Sequence, residues 1–152
     1  MRRKDKEITD QKVLDEIIQE AKVCRLAVSY EAMAYIVPLS FGYENHVLYF
    51  HSAADGLKLQ VLRENPKACF EVDIAAELVP GDQACDWTMH YKSVIGFGEV
   101  EFLEDLKAKR EAFAVIMRHY SDDDWAIEDS ALAGVTVFKL NISTMTGKKS
   151  GY

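Results

Sequence analysis

A histidine, a serine and a lysine fall close together in the stretch VLYFHSAADGLKLQVLRENP, as His51, Ser52 and Lys58. An imidazole, a hydroxyl and an ammonium group in one place suit the oxygens of a phosphomonoester, which reward charge-assisted hydrogen bonds. Val47, Tyr49 and His51 alternate with Leu48, Phe50 and Ser52, the two-residue period of a strand. Leu59 and Leu62 recur at helical spacing, and Asn65-Pro66 supplies a stop. Between strand and helix, Ala53-Ala54-Asp55-Gly56 is small enough to let a ligand approach the backbone. A helix start offers unpaired N–H groups and a partial positive charge, so an anion can settle there. A strand, a polar turn and a helix carrying a surface lysine are also an ordinary structural unit, and the stretch alone leaves both readings open.

The rest of the chain must position that corner. With 152 residues and 49% hydrophobic content, residues 1–152 are expected to form a single domain with a core of its own. The net charge of -7 argues against a nucleic-acid footprint, which needs clustered basic charge. Cys24, Cys69 and Cys85 are odd in number and lack C-x-x-C spacing, so neither a disulfide framework nor a zinc site is expected. Cys24 and Cys69 read as small packed side chains. The basic start Met-Arg-Arg-Lys is followed by charge rather than an apolar stretch, unlike a secretory signal. No window approaches the apolar length of a membrane span, and the expected location is the cytoplasm.

In chain order, Asp10 is expected to cap a helix with Val13, Leu14, Ile17, Ile18 and Ala21 on one face. Cys24–Tyr30 and Ala34–Gly42 read as a hairpin around Glu31-Ala32-Met33, and Pro38 belongs at an edge or bulge because it lacks a ladder N–H. Ala68–Asp73 alternates as a strand, Ala75–Asp86 reads as a loop, and Thr88–Phe102 as a long extended run with close contacts at Gly96 and Gly98. Asp105 is expected to cap a helix that packs through Leu106, Phe113, Ile116, Met117 and Tyr120. Ser121–Asp124 lacks EF-hand spacing and reads as a solvated loop. Val135–Ile142 is a last strand and Ser143–Tyr152 a polar tail. Six strands in hairpin-like succession predict a mainly β, α+β fold: an antiparallel barrel with flanking helices.

Several blocks in order carry a resemblance: Tyr35-Ile36-Val37-Pro38-Leu39, then Leu48-Tyr49-Phe50-His51-Ser52-Ala53 with Gly56 and Lys58, then Asn65-Pro66 and Cys69-Phe70-Glu71-Val72. The chain resembles the FMN-binding split-barrel family related to pyridoxamine 5'-phosphate oxidase. Tyr91-Lys92-Ser93-Val94 before Gly96-Phe97-Gly98, and Thr146-Gly147-Lys148, look like its nitroimidazole-resistance branch. The resemblance implies a six-stranded antiparallel split β-barrel, a homodimer, and FMN (or FAD) at the interface between subunits. It implies that His51, Ser52 and Lys58 lie near the cofactor phosphate or the adjoining part of the cofactor, that Val37, Pro38 and Leu39 pass along its ring, and that Tyr35 and Ala53 also bind the cofactor. Tyr91, Ser93, Val94, Met145 and Lys148 would close the site, some from the partner chain. The chain departs from the oxidases proper, which end in an Arg-rich R-L-x-P-like segment where this one ends KKSGY. It also has Met145-Thr146 where the nitroimidazole branch often has an aromatic residue before Gly-Lys.

The expected function is that of a flavoprotein oxidoreductase passing electrons from reduced flavin to a small acceptor such as a nitroaromatic. The alternatives are a flavin carrier or sensor without turnover and, further off, a haem-binding barrel. His51 either donates a proton to the acceptor or only hydrogen-bonds the cofactor. His46, His90 and His119 are scattered, which speaks against a histidine metal cluster.

Overall fold

The computed structural model describes residues 3–152; Met1 and Arg2, part of the basic start, lie outside the described residues. In order the elements are β1 (Glu7–Ile8), α1 (Gln11–Glu20), β2 (Cys24–Tyr30), β3 (Met33–Leu39), β4 (Phe41–Glu44), β5 (Val47–Ala53), α2 (Leu57–Glu64), β6 (Lys67–Val79), β7 (Thr88–Leu103), α3 (Leu106–Tyr120), α4 (Asp129–Ala133) and β8 (Val135–Ser150). Every strand pairing is antiparallel, and the sheet runs β3-β2-β6-β7-β8-β5-β4, with β1 added to β8. Leu26 near one end of that path and Phe41 and Phe50 at the other belong to the same buried cluster, so the sheet curls round a single core. Its two end strands, β3 and β4, are consecutive in sequence and joined through Ser40, which leaves the barrel split there.

The described residues form eight strands where six were expected. The run read as Ala34–Gly42 breaks at Ser40 because it changes partner: Leu39 faces Cys24 of β2, whereas Phe41 faces Phe50 of β5. The two-residue β1 was too short to show a period, and it pairs Ile8 with Gly147. Ser143–Ser150 is strand rather than tail, because β7 continues beside it from Phe97 to Tyr91. Likewise β6 extends to Val79 through the segment read as loop, with a register shift between Ile74 and Glu77.

Local chemistry explains most boundaries. The Asp10 carboxylate accepts the Lys12 N–H and that of Asp105 the Ala108 N–H, capping α1 and α3 as expected. Two-residue turns join β2 to β3 and β4 to β5, with Glu31, Ala32, Asn45 and His46 all at positive φ, the geometry that matches strand twist. The buried face of α1 is the expected one, through Leu14, Ile17 and Ile18. That of α3 is not. It buries Ala112, Val115, Ile116 and His119, while Leu106 and Tyr120 are exposed. The cause is Gly42: a Cβ there would lie 2.6 Å from the Ile116 backbone N, so the α3 backbone rests directly on β4. Tyr120 instead works through its hydroxyl, which accepts the Phe41 N–H at 2.9 Å and donates to the Lys22 carbonyl at 3.0 Å. Gly96 is a close contact as expected, since a Cβ there would meet the Phe70 ring at 2.3 Å.

Candidate functional site

Along β5 the burial alternates, with Leu48, Phe50 and Ser52 directed into the barrel and Val47, Tyr49 and His51 toward the outside. Ser52 is 8% exposed and its Oγ has no hydrogen-bond partner among the described residues. A buried hydroxyl left unpaired costs about 1–3 kcal/mol. Immediately beyond it the chain turns through Gly56, at φ 146°, into α2, which has no side-chain cap. Leu59 and Gln60 make the first intrahelical bonds, to the Gly56 carbonyl, so the Leu57 and Lys58 N–H groups precede the helical ladder. Lys58 stands half-buried in that first turn. Asp55 accepts the Gly56 N–H at 2.7 Å and brings one opposing negative charge to the corner. An unpaired buried hydroxyl, an uncapped helix start and a free ammonium group fit an anionic oxygen, as a flavin phosphate would present.

His51 points the other way. Its ring centroid is 5.0 Å from that of Phe113 on α3, and burial lowers its pKa from the ordinary histidine value, so the imidazole is neutral at pH 7. The end of β3 reaches the same corner, because Ser40 alone separates Leu39 from Phe41, the residue opposite Phe50. Pro38 is exposed on an end strand of the sheet, as expected. Tyr35, Val37 and Leu39 turn their side chains onto the core, and Ile36 and Pro38 stand on the other side.

The remaining expected site residues lie elsewhere in the chain. His51 is paired with Val137, and Lys148 stands eleven residues further along β8, about 35 Å of extended strand away. There Ser93 faces Lys148, and the Lys148 ammonium sits 5.2 Å from the centre of the Tyr91 ring. Met145 packs against the core and Val94 is fully buried within it, so Val94 has only its backbone to offer a ligand. The chain therefore holds two separate groups of the expected residues.

A surface that the sequence reading missed lies on the outer side of the sheet. Ile36, Ala27, Cys69, Phe97 and Thr144 face one another strand by strand in a single row. Ile36 and Phe97 are each 57% exposed, and Met33 64%. The next row runs Pro38, Arg25, Glu71, Ile95 and Thr146, with Arg25 ion-paired to both Glu71 and Asp73. Burial, then the Asp73 charge, raises the Glu71 carboxyl above its usual pKa, opposed by Arg25. A cavity of about 530 Å³ opens on this face, and Ser52 is not among its lining residues. Cys69 lines it half-buried, so it is not the packed core thiol that Cys24 is. Apolar residues at the odd positions Ile95 and Phe97 of β7, opposite in parity to the buried Val94 and Val100, were the available signal.

No group of three or more metal-binding side chains occurs among the described residues, and no helix there is long and apolar enough to cross a membrane. An antiparallel barrel split between consecutive strands, with helices outside it and an anion-ready corner at one end, defines the split-barrel class. The chain belongs to the pyridoxamine 5'-phosphate oxidase family, whose model matches residues 10–149. Among solved structures it is similar to a candidate 5-nitroimidazole antibiotic resistance protein from Bacteroides thetaiotaomicron, at 38% identity and TM-score 0.84 over 93% of this chain and 85% of that one. The flavocytochrome Anf3 from Azotobacter vinelandii shares the fold at TM-score 0.87 and 18% identity, over 100% and 72% of the two chains. An FAD and heme binding protein from Mycobacterium smegmatis does so at TM-score 0.85 and 20% identity, over 97% and 74%. A search of curated proteins finds no match.

Proposed function

We propose that this chain is a flavin-binding oxidoreductase that works as a homodimer, with FMN seated by its phosphate at the β5–α2 corner. The observation that carries the reading is the Ser52 hydroxyl, buried without a partner beside an uncapped helix in a chain of this family. Ser52 Oγ and the first N–H groups of α2 would donate to the phosphate when it is bound, and Lys58 would pair with its charge. The free backbone of β3 at Val37-Pro38-Leu39 runs along the ring, whose redox chemistry is that of the flavin itself when bound. FAD fits the same seat, because the seat reads only the first phosphate.

The two separated residue groups support a shared site. Lys148 on β8, with Tyr91 and Ser93 beside it on β7, is too far along the sheet to reach its own subunit's corner, and the exposed row through Ile36 and Phe97 is the apolar surface a second copy would cover. Likeness to the Bacteroides protein, which is described by 5-nitroimidazole resistance, supports a nitroaromatic as the small acceptor. Cytoplasmic location accords with the three free cysteines.

His51 favours a second reading, a flavin carrier without turnover. Its half-buried ring touches Phe113 and has no carboxylate or hydroxyl partner for proton transfer among the described residues. The visible spectrum of the freshly purified protein, with mass identification of what denaturation releases, tests flavin binding. Anaerobic mixing with NADH or NADPH and nitroaromatic acceptors then separates the readings: turnover removes the carrier, and a bound flavin that no donor reduces removes the oxidoreductase.

A further inference from the structure

A polar cavity of about 400 Å³ lies between α1, α3 and the β4–β5 turn, bordered by Asp15, Gln19, Tyr43, Glu44, Arg118 and His119 among others. His46, also on its rim, precedes β5, whereas Ser52 lies near the other end of that strand. The two regions are therefore about 20 Å apart. Tyr43 and His119 form the deep part, at 6% and 8% exposed, and Glu44 and Arg118 the mouth, held by a 2.9 Å ion pair.

Besides the donors of Arg118 and Asn45, the wall carries acceptors without a partner. His119 Nε2 lies 2.7 Å from the Ala21 carbonyl oxygen, so that nitrogen carries the hydrogen and donates it. Nδ1 is then a bare lone pair, and it is buried with no partner. Burial lowers the His119 pKa more than the Ala21 contact raises it, which keeps the ring neutral at pH 7. Both side-chain hydrogen bonds to Asp15, from the Tyr43 hydroxyl at 2.5 Å and from Gln11 Nε2 at 2.9 Å, arrive on Oδ1. The Arg118 bond to Glu44 arrives on Oε1. Asp15 Oδ2, Glu44 Oε2 and His119 Nδ1 remain as acceptors, and two carboxylates against one guanidinium leave the cavity with one net negative charge. An alkylammonium group brings three N–H donors and one positive charge, which matches the open acceptors and the net charge.

We propose that this cavity is a second small-molecule site, independent of the flavin corner, that takes a small alkylammonium compound through its N–H donors. The test is calorimetric titration of the full-length protein with methylammonium and with putrescine, alongside tetramethylammonium, which carries the charge and no N–H. Saturable binding of at least one amine, none of tetramethylammonium, and a loss of about tenfold or more in both Glu44→Gln and Asp15→Asn are expected. Because Glu44 lies at the exposed mouth, Glu44→Gln should keep the parent melting temperature, which separates lost binding from lost fold. The nitrogen NMR signal of His119 Nδ1 should move on titration. Absence of saturable amine binding in the tens of millimolar, equal binding of tetramethylammonium, or binding unchanged in Glu44→Gln would each overturn the proposal.

Discussion

His51 and Ser52 are neighbours in sequence and leave β5 on opposite faces, His51 to within 5.0 Å of the Phe113 ring under α3 and Ser52 into the barrel wall. Their roles are therefore separable by mutation. Ser52→Ala removes a buried hydroxyl that nothing in the chain satisfies. The flavin-free protein should be unchanged or up to about 1–2 kcal/mol more stable, while FMN retention falls. Chemical denaturation of the apoprotein and fluorescence titration with FMN check the two halves.

Lys58→Ala should weaken FMN about tenfold and riboflavin little, because the lysine is assigned to the phosphate and riboflavin has none. Equal losses for both ligands would place Lys58 elsewhere.

Two histidines, His119 buried and His51 half-buried, set a pH dependence. Burial lowers the folded-state pKa of both His51 and His119 below the unfolded value of about 6.5. Above that value both states are neutral at these positions and the histidines cost nothing. As pH falls below it the unfolded chain takes up protons first, so stability declines until the folded-state values are passed. Denaturation at pH 7.5 and 5.5 should show this loss, and His51→Gln with His119→Gln should flatten it.

The outer sheet face makes a prediction about assembly. Phe97 is 57% exposed in a row with Ile36, Ala27 and Cys69, and Phe97→Asp should turn the proposed dimer into monomers in sedimentation. Flavin retention should fall with it, since the partner's residues would leave the site.

Gly42→Ala should destabilise the fold by about 1–3 kcal/mol, because the added Cβ meets the α3 backbone, which cannot move aside as a side chain end could. The shift in thermal midpoint measures it.

Period and capping are local properties, and what rests on them was legible: β5, α1, the two Asp caps, the edge position of Pro38 and the strand-turn-helix corner. Pairing between distant segments is not local. The break at Ser40, the extension of β8 to Ser150 and the rotation of α3 onto Val115 and Ile116 each depend on what lies opposite. The same division holds for the site. Residue order alone marked His51, Ser52 and Lys58 as one corner, because they share a strand end and the helix that follows it. Only the folded sheet showed that His51 and Ser52 face apart, that Val94 is core, and that Lys148 stands far down β8 from the corner it was expected to close. Side-chain direction and distance across a curled sheet are set by register and curvature, which no single stretch of residues contains.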